Sequence, residues 1–464
     1  MQRYIKGAAE ELETSTTILK TTIRILKSKI EEYRLKQIEQ ERKALKPKQY
    51  QMTKEEENRA MKFLKAKGLV KNTLSAIEKS GLVGEQKNGL LLYFLYLSRL
   101  FDEPLHAIIF GKSGSGKTYL QTKISECLPE ESVRTITSLT ENTLYYSAKD
   151  FWKHKLLLIE DLEGVYNAFL PLREFMSKQS ISKLTTDKDA KGNNVQKVLM
   201  VEGPICVSGA TTQGNIYEDN ANRSFLLHID ETMQHMKDVM NYQRKLQAGL
   251  INEQEQNQYR QVLKNAQRLL RKVRVINPYA PQLDIPDCVF KKLRTNMHYL
   301  KLIEIITFYH QYQREWKQDK EGKPYIETTL EDIELANWLV KDTLIRKSDE
   351  LSGDLRGFFE SLKHYLSADK AGLKNQEGTE EQTSSTDGGT SFYAKEIRKS
   401  FRLHPQKLSR FLINLEKRGL IKLVSNNRQT GYEYQIISWN DYQLLKNDVD
   451  ILDQILEKLK NKQS

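Results

Sequence analysis

Cysteine is scarce in this 464-residue chain: there are three, Cys127, Cys206 and Cys288, far apart and without CxxC or CxxxxH spacing. A disulfide framework and a zinc ribbon are therefore excluded as designed features. Long apolar runs are also missing, since the best, Leu156 to Ile159 and Gly89 to Leu97, fall short of the roughly 18 residues a spanning helix needs. The opening MQRYIKGAAEELE has no apolar targeting core, so no membrane contact and a cytoplasmic location are expected. What is there is globular in composition, 39% hydrophobic and 29% charged, with a length that predicts about three domains. Lys+Arg outnumber Asp+Glu by 73 to 61, and the +12 excess points to polyanions, nucleic acid before membrane.

Residues 1–50 are basic, and Leu19, Ile23, Leu26, Ile30 and Tyr33 follow a 4,3 heptad spacing, predicting a helix that either enters a short coiled coil or folds as a basic arm on its own body. Residues 51–104 keep a helical pattern. From 105 to 235 the short apolar runs LHAIIF, VRTIT, KLLLIED, PICVSGA and SFLLHID alternate with helical or loop stretches, predicting an α/β core with a mostly parallel sheet. Residues 236–366 return to helix, with Met297 to Trp316 and Leu330 to Arg346 as the long ones. Residues 367–391 are nearly devoid of apolar side chains and read as a linker, and 392–440 read as helix, turn, helix and two strands, followed by a charged helix over 441–464.

The segment Gly111-Lys112-Ser113-Gly114-Ser115-Gly116-Lys117-Thr118 satisfies G-x-x-x-x-G-K-[ST] directly after a strand and before a helix. Gly111, Gly114 and Gly116 let backbone N–H groups wrap a phosphate, Lys117 brings a point charge to the β/γ oxygens of ATP, and the Thr118 hydroxyl reaches Mg²⁺. Leu156–Ile159 followed by Glu160 and Asp161 supplies an acidic strand end: Glu160 is expected to hold Mg²⁺ through water and Asp161 to polarise the attacking water, with the usual Asp-then-Glu order reversed. A β-hairpin is expected around Lys191-Gly-Asn-Asn194, its tip carrying Lys188 and Lys191 and its arms Lys183 and Lys197. It either touches a nucleic-acid backbone or is simply solvated. Thr211 and Thr212 end the next strand, where a polar group senses the γ-phosphate, and Arg223 precedes the last strand, where it could reach a neighbouring subunit's nucleotide.

The order GKSGSGKT, LLLIED, hairpin, strand, Thr-Thr and NRSF resembles AAA+ ATPases that carry a hairpin just before the sensor strand, with minichromosome-maintenance helicases the best-known members. The phrases SLTENTLYY, PLREFMSK, VEGPICVSGATT, YLKLIEIITFYHQYQRE and TTLEDIELAN resemble the ATPase region of bacterial mobile-element replication proteins, often found beside CHC-type zinc-ribbon primase modules; this likeness covers about residues 55–350. The resemblance implies an α/β AAA+ P-loop ATPase core with helical N-terminal and lid domains. It further implies Walker B roles for Glu160 and Asp161, sensor 1 at Thr211 or Thr212, a trans-acting finger at Arg223 and sensor 2 at Arg294. Sensor 1 is usually Asn in the better-known helicases, and no primase constellation is visible in this chain.

Residues 392–440 hold ten Lys/Arg against three Glu and read as a winged helix, with Lys407, Arg410 and Arg428 as DNA contacts. The expected function is an ATP-dependent DNA helicase or translocase, a homo-oligomeric, hexameric ring acting in mobile-element replication with a primase partner. The alternatives are an ATP-switched loader or adaptor and a transcription regulator.

Overall fold

The computed structural model describes residues 7–9, 11–44, 50–188, 194–212, 222–289, 291–349, 351, 353–373, 391–427 and 431–463. The N-terminal heptads form a single helix, α1 (Thr16–Ala44). Helices α2 (Lys54–Lys65), α3 (Leu69–Lys79) and α4 (Gln86–Leu97) follow. Thr53 and Glu56 form a reciprocal capping box that starts α2. In α4 every residue from Gly89 to Leu97 is buried, which explains why NGLLLYFLYL shows no amphipathic stripe: it is apolar all round because it is enclosed all round.

Five strands make one parallel sheet: β1 (His106–Phe110), β2 (Val133–Ile136), β3 (Lys155–Ile159), β6 (Ile205–Thr211) and β7 (Ser224–His228), in the order β2-β3-β6-β1-β7. These are the five apolar runs expected from the sequence. Helix α5 (Lys117–Ser125) follows the phosphate loop, and α6 (Phe169–Lys178) leads into an antiparallel hairpin of β4 (Ser180–Lys188) and β5 (Asn194–Glu202). Both faces of the sheet are covered. On one face Ala107, Ile109, Leu156, Leu158 and Phe225 share a core with α4 and with the helices after β7; on the other Ile108, Leu157, Ile159 and Val207 pack with Leu172 and Phe175 of α6 and with Ile181 and Val201 at the hairpin base. The helices before β1 thus share the sheet's core.

After β7 come α7 (Met233–Gln247), α8 (Glu253–Leu269), the short β8 (Arg274–Ile276), α9 (Lys292–Tyr309), β9 (Lys317–Gln318), β10 (Pro324–Glu327) and α10 (Leu330–Ser348). Helix α9 begins and ends earlier than the span expected from the sequence. The chain turns after Tyr309, where the Gln313 amide donates to the carbonyls of Leu64 and Ala66 and the Trp316 indole to that of Gln311.

Helix α11 (Gly353–Leu373) runs into the stretch read as a linker and packs with the C-terminal elements. Its Leu355, Phe359 and Leu362 share a core with β11 (Ser391–Tyr393), α12 (Ala394–Ser400), α13 (Pro405–Lys417), β12 (Ile421–Asn427) and β13 (Gly431–Ile436), through Phe392, Leu408 and Phe411 among others. β11, β13 and β12 form a three-stranded sheet. Helices α14 (Asp441–Val449) and α15 (Ile451–Gln463) return to α10: Asn337 of α10 accepts from the buried Tyr299 hydroxyl at 2.6 Å and donates to the Leu452 carbonyl at 3.0 Å. Arg356 ties the unit at both ends, bonding Asp349 at 2.8 Å and Asp441 at 2.5 Å.

Candidate nucleotide site

The phosphate loop lies between β1 and α5, where Gly114 and Gly116 adopt left-handed φ of 75° and 95°, a region that L side chains enter at a cost. A Cβ at Gly111 would stand 2.5 Å from Ser115 Oγ, so a side chain there would displace that hydroxyl from the loop. The Lys117 ammonium bends back into it, donating to the Gly111 carbonyl at 2.8 Å and the Lys112 carbonyl at 2.6 Å. Burial lowers the pKa of Lys117, opposed by the charges of Glu231 and Asp161. Ser115 Oγ is buried with no hydrogen-bond partner. A cradle of left-handed glycines with an inward ammonium and an unanswered hydroxyl fits a nucleotide phosphate.

The sheet order places β6 between β1 and β3, so that two strand ends converge beside the loop. Phe110 pairs with Thr211, which is buried, and Ile159 pairs with Gly209, level with Thr211 at Asp161. Gln121, one turn into α5, locks this arrangement by donating to the Ser208 carbonyl at 2.9 Å and the Ile159 carbonyl at 3.4 Å. Glu160 and Asp161 are both exposed. Asp161 is the acid whose charge reaches Lys117, and its Oδ1 also accepts from the Glu163 amide at 3.0 Å, starting the next helical turn. Thr212 is exposed and donates to Glu163 Oε1 at 3.4 Å. Thr118 lies exposed on the first turn of α5, where Mg²⁺ coordination would place it.

Arg223 lies at the far end of the sheet. Ser224 pairs with His106, five residues before Gly111, so about 17 Å of strand separates Arg223 from its own loop. Its Nε donates to Ser177 Oγ at the end of α6 at 2.7 Å. Arg294 is exposed on the first turn of α9, and no contact of its side chain with the loop is seen among the described residues.

Five residues at the loop were not anticipated. Glu231 follows β7 and accepts from the Lys112 amide at 2.8 Å and from its ammonium at 2.6 Å. Burial alone would raise the Glu231 carboxyl, but the two Lys112 bonds outweigh it and hold it below its ordinary value. His228 stacks on Phe110 at 5.0 Å and is held near pKa 4 by burial, with Arg346 adding to the shift. Arg346 and Gly353 lie together beside His228, and the charge of Asp354 reaches Lys112 and Glu231. The end of α10 and the start of α11 therefore form the rim of the loop. In the sequence only the position of Glu231, directly after a buried strand parallel to β1, signalled any of this.

Of the expected DNA contacts, Lys191 and Arg428 lie outside the described residues, and Lys188 ends β4. Lys183 is folded down, 3.8 Å from Glu141 and over the Tyr145 ring. Lys407 turns inward from α13 to Asp354 at 3.2 Å, away from the outer face of the helix. That outer face carries Arg410, which is exposed, together with Gln406, Ser409, Ile413 and Lys417, lining an open groove.

These elements define a P-loop NTPase domain with flanking helical regions. A family profile described as the MTBMA_p00010 P-loop domain matches residues 52–273, a span that holds the loop, the acids, the hairpin and Glu231. The chain is 26% identical over 304 residues to the uncharacterized protein MTBMA_p00010 of Methanothermobacter marburgensis; the alignment covers 61% of this chain and 36% of that protein, so the chain spans little more than a third of its relative's length. Among solved structures, a full-length MCM homolog from Methanopyrus kandleri matches with 13% identity and a TM-score of 0.40, over 65% of this chain and 64% of that one. The Aeropyrum pernix ORC1 protein in complex with DNA matches with 11% identity and a TM-score of 0.23, over 86% and 98%. Among the described residues, no group of three or more His, Cys, Asp or Glu could hold a metal ion, and no helix is long and apolar enough to cross a membrane.

Proposed function

We propose that this chain is a DNA-dependent ATPase that assembles as a homo-oligomeric, hexameric ring and works as a helicase or translocase in the replication of a mobile element, beside a primase that is a separate partner. The observation that carries the reading is the path from hairpin to site. β5 and β6 run almost without interruption from Asn194 to Thr211, so displacement of the hairpin is passed along a buried strand to the threonine beside the phosphate loop. The base of the hairpin is anchored in the core by Ile181 and Val201, which gives that movement a rigid pivot.

In this reading Lys117 and the amides of residues 113–118 would hold the phosphates of ATP, Thr118 and Glu160 would hold Mg²⁺, and Asp161 would orient the attacking water. The metal supplies neutralisation of phosphate charge. Thr211 senses the γ-phosphate, and Arg223 reaches a neighbour's nucleotide because it cannot reach its own. The C-terminal unit is a winged helix that meets DNA through the open face of α13, Arg410 foremost.

A second reading, an ATP-switched DNA-binding loader without unwinding, is favoured by one contact: Asp354 stands between Lys407 of α13 and the Lys112–Glu231 pair, joining the C-terminal unit to the nucleotide rim. ATP hydrolysis by wild type and Lys117→Ala, with and without single-stranded and forked DNA, followed by strand displacement, separates the two. DNA-stimulated hydrolysis with unwinding, both lost in the variant, supports the motor. Hydrolysis that ignores single strands, without displacement, sinks it and leaves the loader.

A further inference from the structure

Helix α1 presents an apolar seam that the fold leaves in solvent. Ile23, Leu26 and Ile30 are 42%, 53% and 54% exposed, and Leu19 and Tyr33 continue the same 4,3 register. The positions flanking such a seam decide what can lie on it. On one side stand Lys20 and Lys27, seven residues apart; on the other Thr22 and Lys29. A second copy of α1 would oppose these rows to themselves. Antiparallel pairing sets each row against its own kind, lysine against lysine, and parallel pairing sets Thr22 against Lys27, so a second copy brings no acidic side chain to Lys20 or Lys27.

We propose that α1 is a docking helix for a partner protein, and that its occupant is an amphipathic helix with apolar a and d positions and acidic e and g positions, paired over two heptads. The inference does not depend on the ATPase reading, because it rests on residues outside the P-loop domain. Seam and flanks discriminate together: the apolar row selects a helix over a nucleic-acid backbone, and the basic rows select acidic flanks over a second α1.

The test uses the full chain and two labelled peptides of about four heptads, identical at a and d, one with Glu and one with Lys at every e and g position. By fluorescence anisotropy at about 50 mM NaCl, the Glu peptide should bind roughly tenfold or more tightly than the Lys peptide, and that preference should shrink at about 500 mM. Ile23→Gln with Leu26→Gln, which keeps good helix formers on an exposed face, should weaken Glu-peptide binding by about tenfold or more while leaving nucleotide binding unchanged. Equal binding of the two peptides overturns the charge argument, as does failure of the Glu peptide to bind a protein that still binds nucleotide. Sedimentation showing self-association that the double variant abolishes overturns the choice of partner. Binding to phosphatidylserine vesicles without peptide binding would assign the helix to a lipid surface instead.

Discussion

The position of Arg223 leads to a quantitative expectation. If every nucleotide site is completed by the arginine of the next subunit, Lys117→Ala and Arg223→Ala damage different halves of the same interface. Arg223 itself sits about 17 Å of strand away from Gly111, held by Ser177, so no rotamer brings it to its own phosphates. Each variant alone should lose hydrolysis, Lys117→Ala through binding and Arg223→Ala by about 10³-fold or more through lost charge neutralisation at the transferring phosphoryl. Mixed in equal amounts and reassembled at random, a site is intact only when an Arg223→Ala subunit supplies Lys117 and its neighbour, a Lys117→Ala subunit, supplies Arg223. That combination has a probability of one half times one half, so the mixture should recover about a quarter of the wild-type rate, whatever the number of subunits in the ring.

The assay is steady-state phosphate release from co-refolded or subunit-exchanged mixtures, with mixed assembly verified by two affinity tags. A Lys117→Ala protein mixed with the Lys117→Ala, Arg223→Ala double variant supplies the blank, because it contains no intact loop. Mixed oligomers that form but hydrolyse no faster than this blank would refute the trans assignment, and an Arg223→Ala protein of full activity would remove the residue from the site altogether.

Four further outcomes are expected. Asp161→Asn should reduce hydrolysis about 10²-fold or more, and more than Glu160→Gln does, because Asp161 is the acid whose charge reaches Lys117; the reverse order in single-turnover assays would assign the water to Glu160. Arg410→Ala should weaken duplex binding and reduce its salt dependence by about one charge, whereas Lys407→Ala should leave the salt slope nearly unchanged because Lys407 is paired with Asp354; titrations at several salt concentrations decide. Arg356→Met should cost about 3–5 kcal/mol in urea unfolding, since it leaves the buried Asp349 without its cation while Asp441 keeps Lys363, and Asp349→Leu added to it should restore part of the loss. Burial holds His106 near pKa 4 against an ordinary 6.5, so the unfolded chain takes up its proton first: stability should be flat above pH 6.5 and fall by about 3 kcal/mol from this residue as the pH drops to 4, a slope that His106→Gln reduces in urea titrations.

The residues that showed themselves in the sequence are those whose chemistry depends on neighbours along the chain. The phosphate loop was readable because three glycines, a lysine and a threonine must follow each other between a strand and a helix. The central strand β3 was readable because strands buried on both faces are near-continuously apolar, as Leu156 to Ile159 are. The order of those strands was not, since nothing local to β6 says that it lies between β1 and β3. For the same reason Asp354 and Arg346 were invisible: each reaches the loop only because α10 and α11 fold back over β7. Lys407 is another case. Its spacing on an amphipathic basic helix suits a DNA contact, and nothing in that spacing signals that α11 brings Asp354 to 3.2 Å from its ammonium.

Two physical lines leave the same loop, and they differ in what they can transmit. The line through Thr211 and β6 is a buried covalent strand that ends beside Val201 at the core-anchored base of the hairpin, so in the motor reading a sub-ångström change at the phosphate would reach that base as displacement. The line through Lys112, Glu231, Asp354 and Lys407 is made of charges on the surface: Lys407 and Asp354 remain 41% and 52% exposed at the side chain, where such a pair contributes on the order of 0.2–1 kcal/mol. Converted at about 1.4 kcal/mol per decade, that second line can shift DNA affinity by no more than roughly fivefold between nucleotide states. Such a bias can order events on DNA but cannot drive strands apart. Work large enough to separate base pairs has to leave through the hairpin, which is why the hairpin path is the feature on which the motor reading rests.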